Sequence, residues 1–349
     1  MNIIVEENAL KKHKPWFNHP ENPYRIELIL KALKIHDLAR YSSVITHTYI
    51  EEETWKILKR IHYKGYLGYL VRMSKKAPCE IDPDTYMTKD TLDLALETID
   101  LAYNTARNIR DREKIFLIVR PPGHHVGLGG KAMGSYTQGF CILNNVASAV
   151  IGFKDRGLSR VAVLDLDLHH GNGTQEIFYR ENTVLHIDIH RDPRDFYPFT
   201  GYIDDLGYGK GYGYSVNLVL EPGTGDDSYI EVFNIAWELL RQYNPEAIVV
   251  SMGFDGYMDD GLSDLMITEY TYYMIGGVLR KTDVPLLIVL EGGYSKGLLN
   301  ALPAFIKALI GERIDFKIKE SISSSYVRKA NLDNAIRVKE KILSIWGFK

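Results

Sequence analysis

The sequence DLDLH at residues 165–169 carries three polar side chains at alternating positions. In an extended segment alternate side chains share a face, so Asp165, Asp167 and His169 are expected to point the same way. A carboxylate and an imidazole on one face are good ligands for a divalent ion such as zinc. Asp255, which follows another apolar run, would add a third ligand, and three protein ligands with an open position are typical of a catalytic zinc site.

The alternative reading of this cluster is a salt-linked acidic group that closes the strand. Acidic residues are depleted in strands, and burial of carboxylates without a cation is costly. Both arguments favour a metal.

Two adjacent histidines, His124 and His125, follow the turn-forming residues 121–123. Water that attacks a carbonyl needs a nearby base, and the departing amine needs an acid. Paired histidines could divide these tasks if each had its own hydrogen-bond partner. The alternative is a structural role, in which each histidine only forms hydrogen bonds within the core. The occurrence of two adjacent histidines makes this alternative less favoured.

Tyr294 follows the pair Gly292-Gly293. A phenol hydroxyl can donate to a developing oxyanion, and two glycines allow the sharp turn that would direct the ring into a cavity. Taken alone, one of 23 tyrosines would more often be a packing residue, so the prediction depends on the other clusters.

Short apolar runs precede each of these clusters and must position them. The runs lack alternation and are rich in β-branched residues, which predicts strands buried on both faces at 115–119, 161–166, 184–189, 247–252 and 285–290. Helical periodicity predicts helices at 25–38, 55–73 and 227–243. It also predicts a C-terminal helix whose apolar face is formed by Leu332, Ala335, Ile336, Ile342, Leu343 and Trp346. Strands alternating with helices predict a parallel, helix-covered sheet, in which ligand sites form at the carboxyl ends of strands.

Composition excludes several classes of protein. The 349 residues include 42 Lys+Arg and 45 Asp+Glu, a net charge of −3, which argues against a nucleic-acid partner bound through bulk charge. The longest uncharged run, 132–153, contains too many polar residues for a membrane span. Two cysteines provide no disulfide framework, which favours a reducing, cytoplasmic setting.

The chain is expected to form a single domain over residues 1–349, because no repeat, Pro-rich linker or low-complexity segment divides it. Its core would span about 19–312. Residues 313–349 carry nine basic and four acidic residues and would form a helical extension that packs on the domain or on a second subunit, so a homo-oligomer remains open.

Seven stretches together resemble the zinc-dependent histone deacetylase family, which includes acetoin-utilisation proteins and acetylpolyamine amidohydrolases. In order along residues 19 to about 300 they read HPENPYRI, IDPDTY, RPPGHH, GFCILNN, DLDLHHGNGTQ, SMGFDG and LEGGY. The resemblance implies the α/β arginase/deacetylase fold, with a mostly parallel central sheet covered by helices on both faces. It also implies hydrolysis of an N-acyl amide, typically acetyl-lysine of a protein or peptide, with release of acetate and a free amine.

The resemblance also assigns roles residue by residue. It implies Asp167, His169 and Asp255 as ligands of one zinc ion, His125 as general base, and His124 as the neighbour that assists electrostatically or protonates the amine. It implies that Tyr294 polarises the acyl carbonyl, that Asp165 holds His124 and that Asn172 holds His125. The tunnel and rim positions are Phe140, Tyr197, Leu262 and Asp84, Arg25 falls near an internal channel, and potassium commonly binds near Asp165 in the family.

Four residues depart from the best-known family pattern. Asn172 stands where one branch has Asp, and together with LEGGY it resembles the second branch. An uncharged partner should leave His125 with a lower pKa than a carboxylate would. Asp188 stands where Ser is frequent near the potassium site, Phe199 where Gly is usual, and Leu262 where polyamine-selective relatives can carry Glu.

Three alternatives remain beside a protein deacetylase. An acetylpolyamine or other small acylated amine would suit the same tunnel. A ureohydrolase would need two manganese ions about 3.5 Å apart and an Asp-x-His-x-Asp run, whereas this run reads Asp-x-Asp-x-His. A non-catalytic acyl-lysine binding module is opposed by the intact set of predicted catalytic residues.

Overall fold

The computed structural model describes residues 1–314 and 319–348. Residues 315–318 and 349, which belong to the predicted basic extension, lie outside the described residues. The strands of the described part are β1 Asn2–Glu6, β2 Ser42–Ile45, β3 Cys79–Asp82, β4 Thr85–Met87, β5 Lys114–Ile118, β6 Val126–Gly127, β7 Gly130–Lys131, β8 Val161–Asp165, β9 Val184–Arg191, β10 Ser215–Leu220, β11 Ala247–Met252 and β12 Leu286–Leu290.

Eight of these strands form one parallel sheet in the order β10-β9-β8-β11-β12-β5-β1-β2. The short strands β3–β4 and β6–β7 form two antiparallel pairs beside it. The five apolar runs named above all lie in the large sheet, because strands buried on both faces need apolar side chains at every position. The predicted α/β class is confirmed.

Helices cover both faces of the sheet. Their bounds are α1 Tyr24–Ile35, α2 Glu51–Ile61, α3 Lys64–Lys76, α4 Thr91–Asn108, α5 Asn145–Asp155, α6 Asn172–Phe178, α7 Asp226–Tyr243, α8 Glu269–Leu279, α9 Leu302–Ile310 and α10 Ser325–Ile345. Apolar residues of α1 and α7–α10 pack in one core cluster, and those of α2–α6 pack in a second cluster on the opposite face. None of the helices in the described ranges is long and apolar enough to cross a membrane.

The helical region predicted at 55–73 is divided into α2 and α3 by a break at residues 62–63. The chain leaves the helical path between α2 and α3, where the Tyr63 N–H donates to the Leu128 carbonyl at 2.7 Å. The His62 ring also bonds to the Gly127 carbonyl at 2.7 Å and accepts from the Asn144 N–H at 3.2 Å. These contacts with distant segments outweigh the local helical periodicity.

The N-terminal region is less helical than its sequence indicates. It contributes β1 and β2, and β2 is an edge strand without a fully buried residue, so its apolar signal is weak. Strand β10 also escapes prediction, because Ser215 and Asn217 interrupt its apolar run although both are buried.

The C-terminal helix α10 packs against α7 and β10. Ala335 and Ile342 are buried as expected, but Ile336 is 39% exposed, so its place on the apolar face is wrong. Val338 takes part in the contact instead. Several basic side chains of α10 are paired with acidic residues of the domain, as in Lys339 with Glu238 and Lys341 with Asp204.

A buried ion pair fixes the start of the segment that carries the two histidines. Glu21 accepts from Arg120 Nε at 2.6 Å and from Nη2 at 2.8 Å, and both side chains are fully buried. Glu21→Ala would leave the buried guanidinium without its partner, so we expect a loss of about 3–5 kcal/mol in the free energy of unfolding. Denaturant unfolding measures this loss.

The matched control for this change is Glu238→Ala, which removes the partly exposed pair with Lys339. Solvent screens that pair, so the expected cost is at most about 1 kcal/mol. Equal losses in the two variants would contradict the structural role of the Glu21–Arg120 pair.

Candidate active site

The four strands that precede the predicted clusters are neighbours in the sheet, in the order β8-β11-β12-β5. All four run parallel, so their carboxyl ends meet at one edge. This arrangement brings together side chains that are up to 170 positions apart, from His124 to Tyr294.

Asp167, His169 and Asp255 form a compact group whose ligand atoms all lie within 4.8 Å of one another. His169 Nδ1 is 3.2 Å from Asp167 Oδ1 and 3.0 Å from Asp255 Oδ2. Both carboxylates are buried. A Cβ atom at Gly292 would collide with both of them, so glycine is needed at this position.

The donor set fits a divalent metal ion. Two buried carboxylates close to an imidazole are a costly arrangement without a cation between them. Burial alone would lower the pKa of His169, but hydrogen bonds with Asp167 and Asp255 raise it to about 9. The carboxylates therefore attract a positive charge at this position, and two oxygen donors with one nitrogen donor are a set that suits zinc.

His125 is oriented by Asn172. The Asn172 amide nitrogen donates to the Ala132 carbonyl at 3.0 Å, which leaves its oxygen to face His125 Nδ1 at 2.8 Å. The Nδ1–H of His125 therefore donates, and Nε2 is the free basic nitrogen of the neutral ring. Burial and the neighbouring His124 and His169 hold the pKa of His125 well below its usual range.

His124 lies in a different electrostatic environment. Its Nδ1 is 3.2 Å from Asp165 Oδ2, and its Nε2 is 3.8 Å from Asp167 Oδ1. Burial opposes the charged form, but Asp167 and Asp165 raise the pKa of His124 well above its usual range. The ring centroids of the two histidines are only 4.0 Å apart, so one neutral and one protonated imidazole lie side by side. Neighbouring groups with pKa values driven apart are suited to act as base and acid.

Tyr294 lies beyond the glycine pair. Gly293 has a φ of 113°, which is favourable for glycine alone. The Tyr294 ring packs edge-on against Phe140 with centroids 5.7 Å apart, and the Arg25 guanidinium lies 4.7 Å from the ring centroid. Burial raises the pKa of Tyr294 well above its usual range, so its hydroxyl keeps its proton and remains a donor.

Of the predicted tunnel residues, Tyr197 and Phe140 contact this group directly. Tyr197 contacts His125 with ring centroids 5.2 Å apart, and Phe140, half-buried, has a φ of 68°. Asp84 lies in the turn between β3 and β4, where its carbonyl bonds to His19, which in turn packs against Phe140. Leu262 lies in the loop that follows Asp255 and is 39% exposed.

Two acidic residues that sequence reasoning did not assign hold the segments of Tyr294 and His124 in place. Asp260 accepts from the N–H groups of Tyr294 at 2.7 Å and Gly297 at 2.8 Å. Glu291 Oε2 accepts from the N–H groups of Gly123 at 2.7 Å and His124 at 3.2 Å. Glu291 lies in the LEGGY stretch and offered a signal, whereas nothing in the sequence distinguishes Asp260 from the acidic residues near it.

A second buried group of possible ligands consists of Asp165, His186 and Asp188, whose ligand atoms also lie within 4.8 Å of one another. It shares no residue with the first group. Asp165 thus belongs to this group and also contacts His124.

Comparison with known proteins shows similarity along most of the chain. The family model described as "Histone deacetylase domain" matches residues 19–309. A "Probable deacetylase" of Archaeoglobus fulgidus is 35% identical over 301 residues, 84% of this chain and 81% of the relative. An acetylpolyamine amidohydrolase of Mycoplana ramosa is 33% identical over 302 residues, 78% of this chain and 87% of the relative. The solved structure "Crystal Structure of HDA15 HD domain" has a TM-score of 0.85 and 28% identity, and the match covers 99% of this chain and 95% of that one.

Proposed function

Because the chain belongs to the histone deacetylase family, and is a hydrolase that acts on acetyl amides, we propose that it uses one zinc ion to deacetylate lysine side chains of proteins or peptides. The observation that carries the proposal is the placement of Asp167, His169 and Asp255 within 4.8 Å of one another, beside a neutral His125.

Asp167, His169 and Asp255 would hold the zinc ion. Zinc bound by three protein ligands supplies a Lewis acid for the carbonyl oxygen and lowers the pKa of water. The chain's contribution is to fix the ligands: the Gly292 N–H donates to Asp167 Oδ2 at 2.8 Å and the Leu168 N–H donates to Asp255 Oδ1 at 3.3 Å.

His125 and His124 would carry the protons. His125 Nε2 takes a proton from the attacking water while Asn172 holds its other nitrogen. The tetrahedral intermediate loses its C–N bond, and the protonated His124 gives its proton to the departing nitrogen. Water and the N-acetyl amide are thereby converted to acetate and a free amine.

Tyr294 would donate its hydroxyl hydrogen to the carbonyl oxygen as negative charge develops there. Asp260 fixes the Tyr294 backbone, and the contact with Phe140 limits movement of the ring. Phe140 and Tyr197 would form the apolar walls around the methylene chain of the substrate, with Asp84 and Leu262 at the rim.

Acetylpolyamines are the second candidate substrate, because a relative from Mycoplana ramosa bears the name acetylpolyamine amidohydrolase. Leu262 has no charge for a polyamine, which favours a peptide. The test is release of the carboxylate product from three substrates at matched concentrations: acetate from an acetyl-lysine peptide and from N-acetylputrescine, and the corresponding longer carboxylate from a longer acyl-lysine peptide. A higher kcat/KM for the peptide supports the proposal, a higher value for N-acetylputrescine assigns the small amine, and absence of release from all three overturns the proposed function.

The cytoplasmic location and the single-domain organisation stay predictions. Cys79 and Cys141 are both free thiols, which suits a reducing compartment.

Asn172→Asp is expected to shift the acid limb of the pH profile of kcat/KM upward by about one pH unit or more. A carboxylate would favour protonated His125 and raise its pKa, and the protonated ring cannot accept a proton. As the pH falls, the variant would therefore lose its activity at a higher pH than the wild type does. Identical profiles for the two proteins would show that Asn172 does not set the protonation of His125.

A further inference from the structure

A row of polar residues crosses the sheet beside the candidate active site. Asp165 of β8 pairs in register with Asp188 of β9, and Asp188 pairs with Asn217 of β10. His186 and Ser215 are register partners two residues earlier, so alternation places all five side chains on one face. All five residues are buried.

His186 is the unusual member of this row. It is only 1% exposed, yet neither ring nitrogen has a hydrogen-bond partner among the described residues. Its Nε2 is 3.9 Å from Asp188 Oδ2, which is too long for a hydrogen bond. Ser215 Oγ and Asn217 Oδ1 are also without a partner in the described part of the chain. Leaving several polar atoms buried and unpaired is costly, so the arrangement indicates a ligand.

Potassium does not suit this donor set. Hard cations such as potassium favour oxygen ligands. The serine that is frequent at position 188 in the family would supply a neutral oxygen ligand, which this chain lacks there. Here Asp188 adds a second carboxylate to Asp165, and His186 adds an imidazole. Imidazole nitrogen is a preferred ligand of zinc, copper, iron and nickel.

We propose that Asp165, His186 and Asp188 bind a divalent first-row transition-metal ion in place of potassium. Two metal–ligand bonds of about 2.1 Å can span the 3.9 Å between His186 Nε2 and Asp188 Oδ2. A divalent cation would also stabilise the buried carboxylate of Asp188.

Surrounding contacts hold Asp188 in a ligating orientation. The Gly171 N–H donates to Asp188 Oδ2 at 2.8 Å, and His190 Nδ1 lies 2.6 Å from Oδ1. A Cβ atom at Gly171 would collide with the Asp165 carboxylate, so glycine leaves room for the pair. Hydrogen bonds to ligating carboxylates are a common feature of metal sites.

This site is separate from the proposed catalytic zinc. The two groups share no ligand, unlike the paired manganese ions of a ureohydrolase, which lie about 3.5 Å apart. Asp165 connects the two regions through its contact with His124, but the two ion-binding assignments can be tested separately because they use different ligands.

The test is metal content per chain after removal of metal with a chelator, reloading with Zn²⁺ and desalting. We expect two ions in the wild type, one in His186→Ala and one in Asp255→Asn. The matched control is His47→Ala, which removes a histidine beside Asp100 outside both groups and should keep two ions. If His186→Ala binds as many metal ions per chain as the wild type, the inference is wrong. If Asp255→Asn binds as many metal ions per chain as the wild type, the assignment of the catalytic zinc ligands is wrong.

Thermal unfolding gives a second readout that does not depend on activity. In the Asp255→Asn protein, micromolar Zn²⁺ should raise Tm, because an ion that binds only the folded state stabilises it. Potassium chloride should not raise Tm beyond sodium chloride at the same ionic strength. The reverse result would assign the site to potassium and overturn the inference.

Asp188→Ser covers the case in which His186→Ala fails to fold. This variant carries at position 188 the smaller, neutral serine that is frequent in the family. It should therefore bind one Zn²⁺ fewer per chain than the wild type, and its Tm should rise when potassium is added. Retention of both zinc ions in Asp188→Ser would contradict the proposal.

Discussion

Replacing His125 with alanine is expected to lower kcat by about 10²- to 10⁴-fold, the usual contribution of a general base. Burial and its neighbours keep the ring neutral, and the Asn172 oxygen holds Nδ1–H, so Nε2 is ready to accept a proton. Alanine removes that nitrogen and leaves the metal ligands in place. The measurement is acetate release from an acetyl-lysine peptide at saturating concentration.

Two controls separate this chemical loss from a structural one. The His125→Ala protein should keep the zinc content of the wild type, because His125 is outside both ligand groups. His47→Ala replaces a histidine that contacts Asp100 and belongs to neither ligand group, so this variant should keep wild-type kcat. If His125→Ala also kept near-native turnover, His125 would not be the base.

The second large effect is expected for Tyr294→Phe, which should lower kcat by about 10²- to 10³-fold, as loss of one oxyanion donor does. Phenylalanine keeps the ring that packs against Phe140 and Arg25, so the fold of the segment should be retained. Since the hydroxyl interaction strengthens as charge develops on the carbonyl oxygen, kcat should fall more than KM changes. Steady-state kinetics on the same peptide measure both.

Tyr103→Phe is the matched control. It removes a hydroxyl that donates to Asp155 at 2.8 Å on the far side of the sheet. The expected cost is about 0.5–1.5 kcal/mol of stability with no change in kcat. Near-native kcat in Tyr294→Phe would exclude the phenol from the chemical step.

The parts of the fold that sequence predicts are those with a strong local signal. Uninterrupted apolar runs identify β8, β11, β12 and β5. The prediction that Asp165, Asp167 and His169 share a face of an extended segment is wrong for Asp165. Strand β8 ends at Asp165 and the chain bends over residues 167–169, so Asp167 and His169 meet in one ligand group and Asp165 belongs to the other. The motifs then identify the family, since each polar cluster follows a strand at the edge where parallel sheets bind ligands.

Other features depend on contacts between distant segments and have no local signal. The break at His62 arises from hydrogen bonds to Gly127 and Leu128, so periodicity alone extends one helix through it. Asp260 becomes significant only when the chain brings it to the Tyr294 N–H. His186 looks like one more residue of a buried strand until the register places it beside Asp165 and Asp188.

The most direct test of zinc-dependent deacetylation is acetate release by protein that has been stripped of metal and then titrated with Zn²⁺. We expect no release from the stripped wild-type protein, recovery of activity on addition of zinc, and no recovery in Asp255→Asn under the same conditions. Full activity of the stripped protein, or equal recovery in Asp255→Asn, would contradict zinc-dependent deacetylation at Asp167, His169 and Asp255.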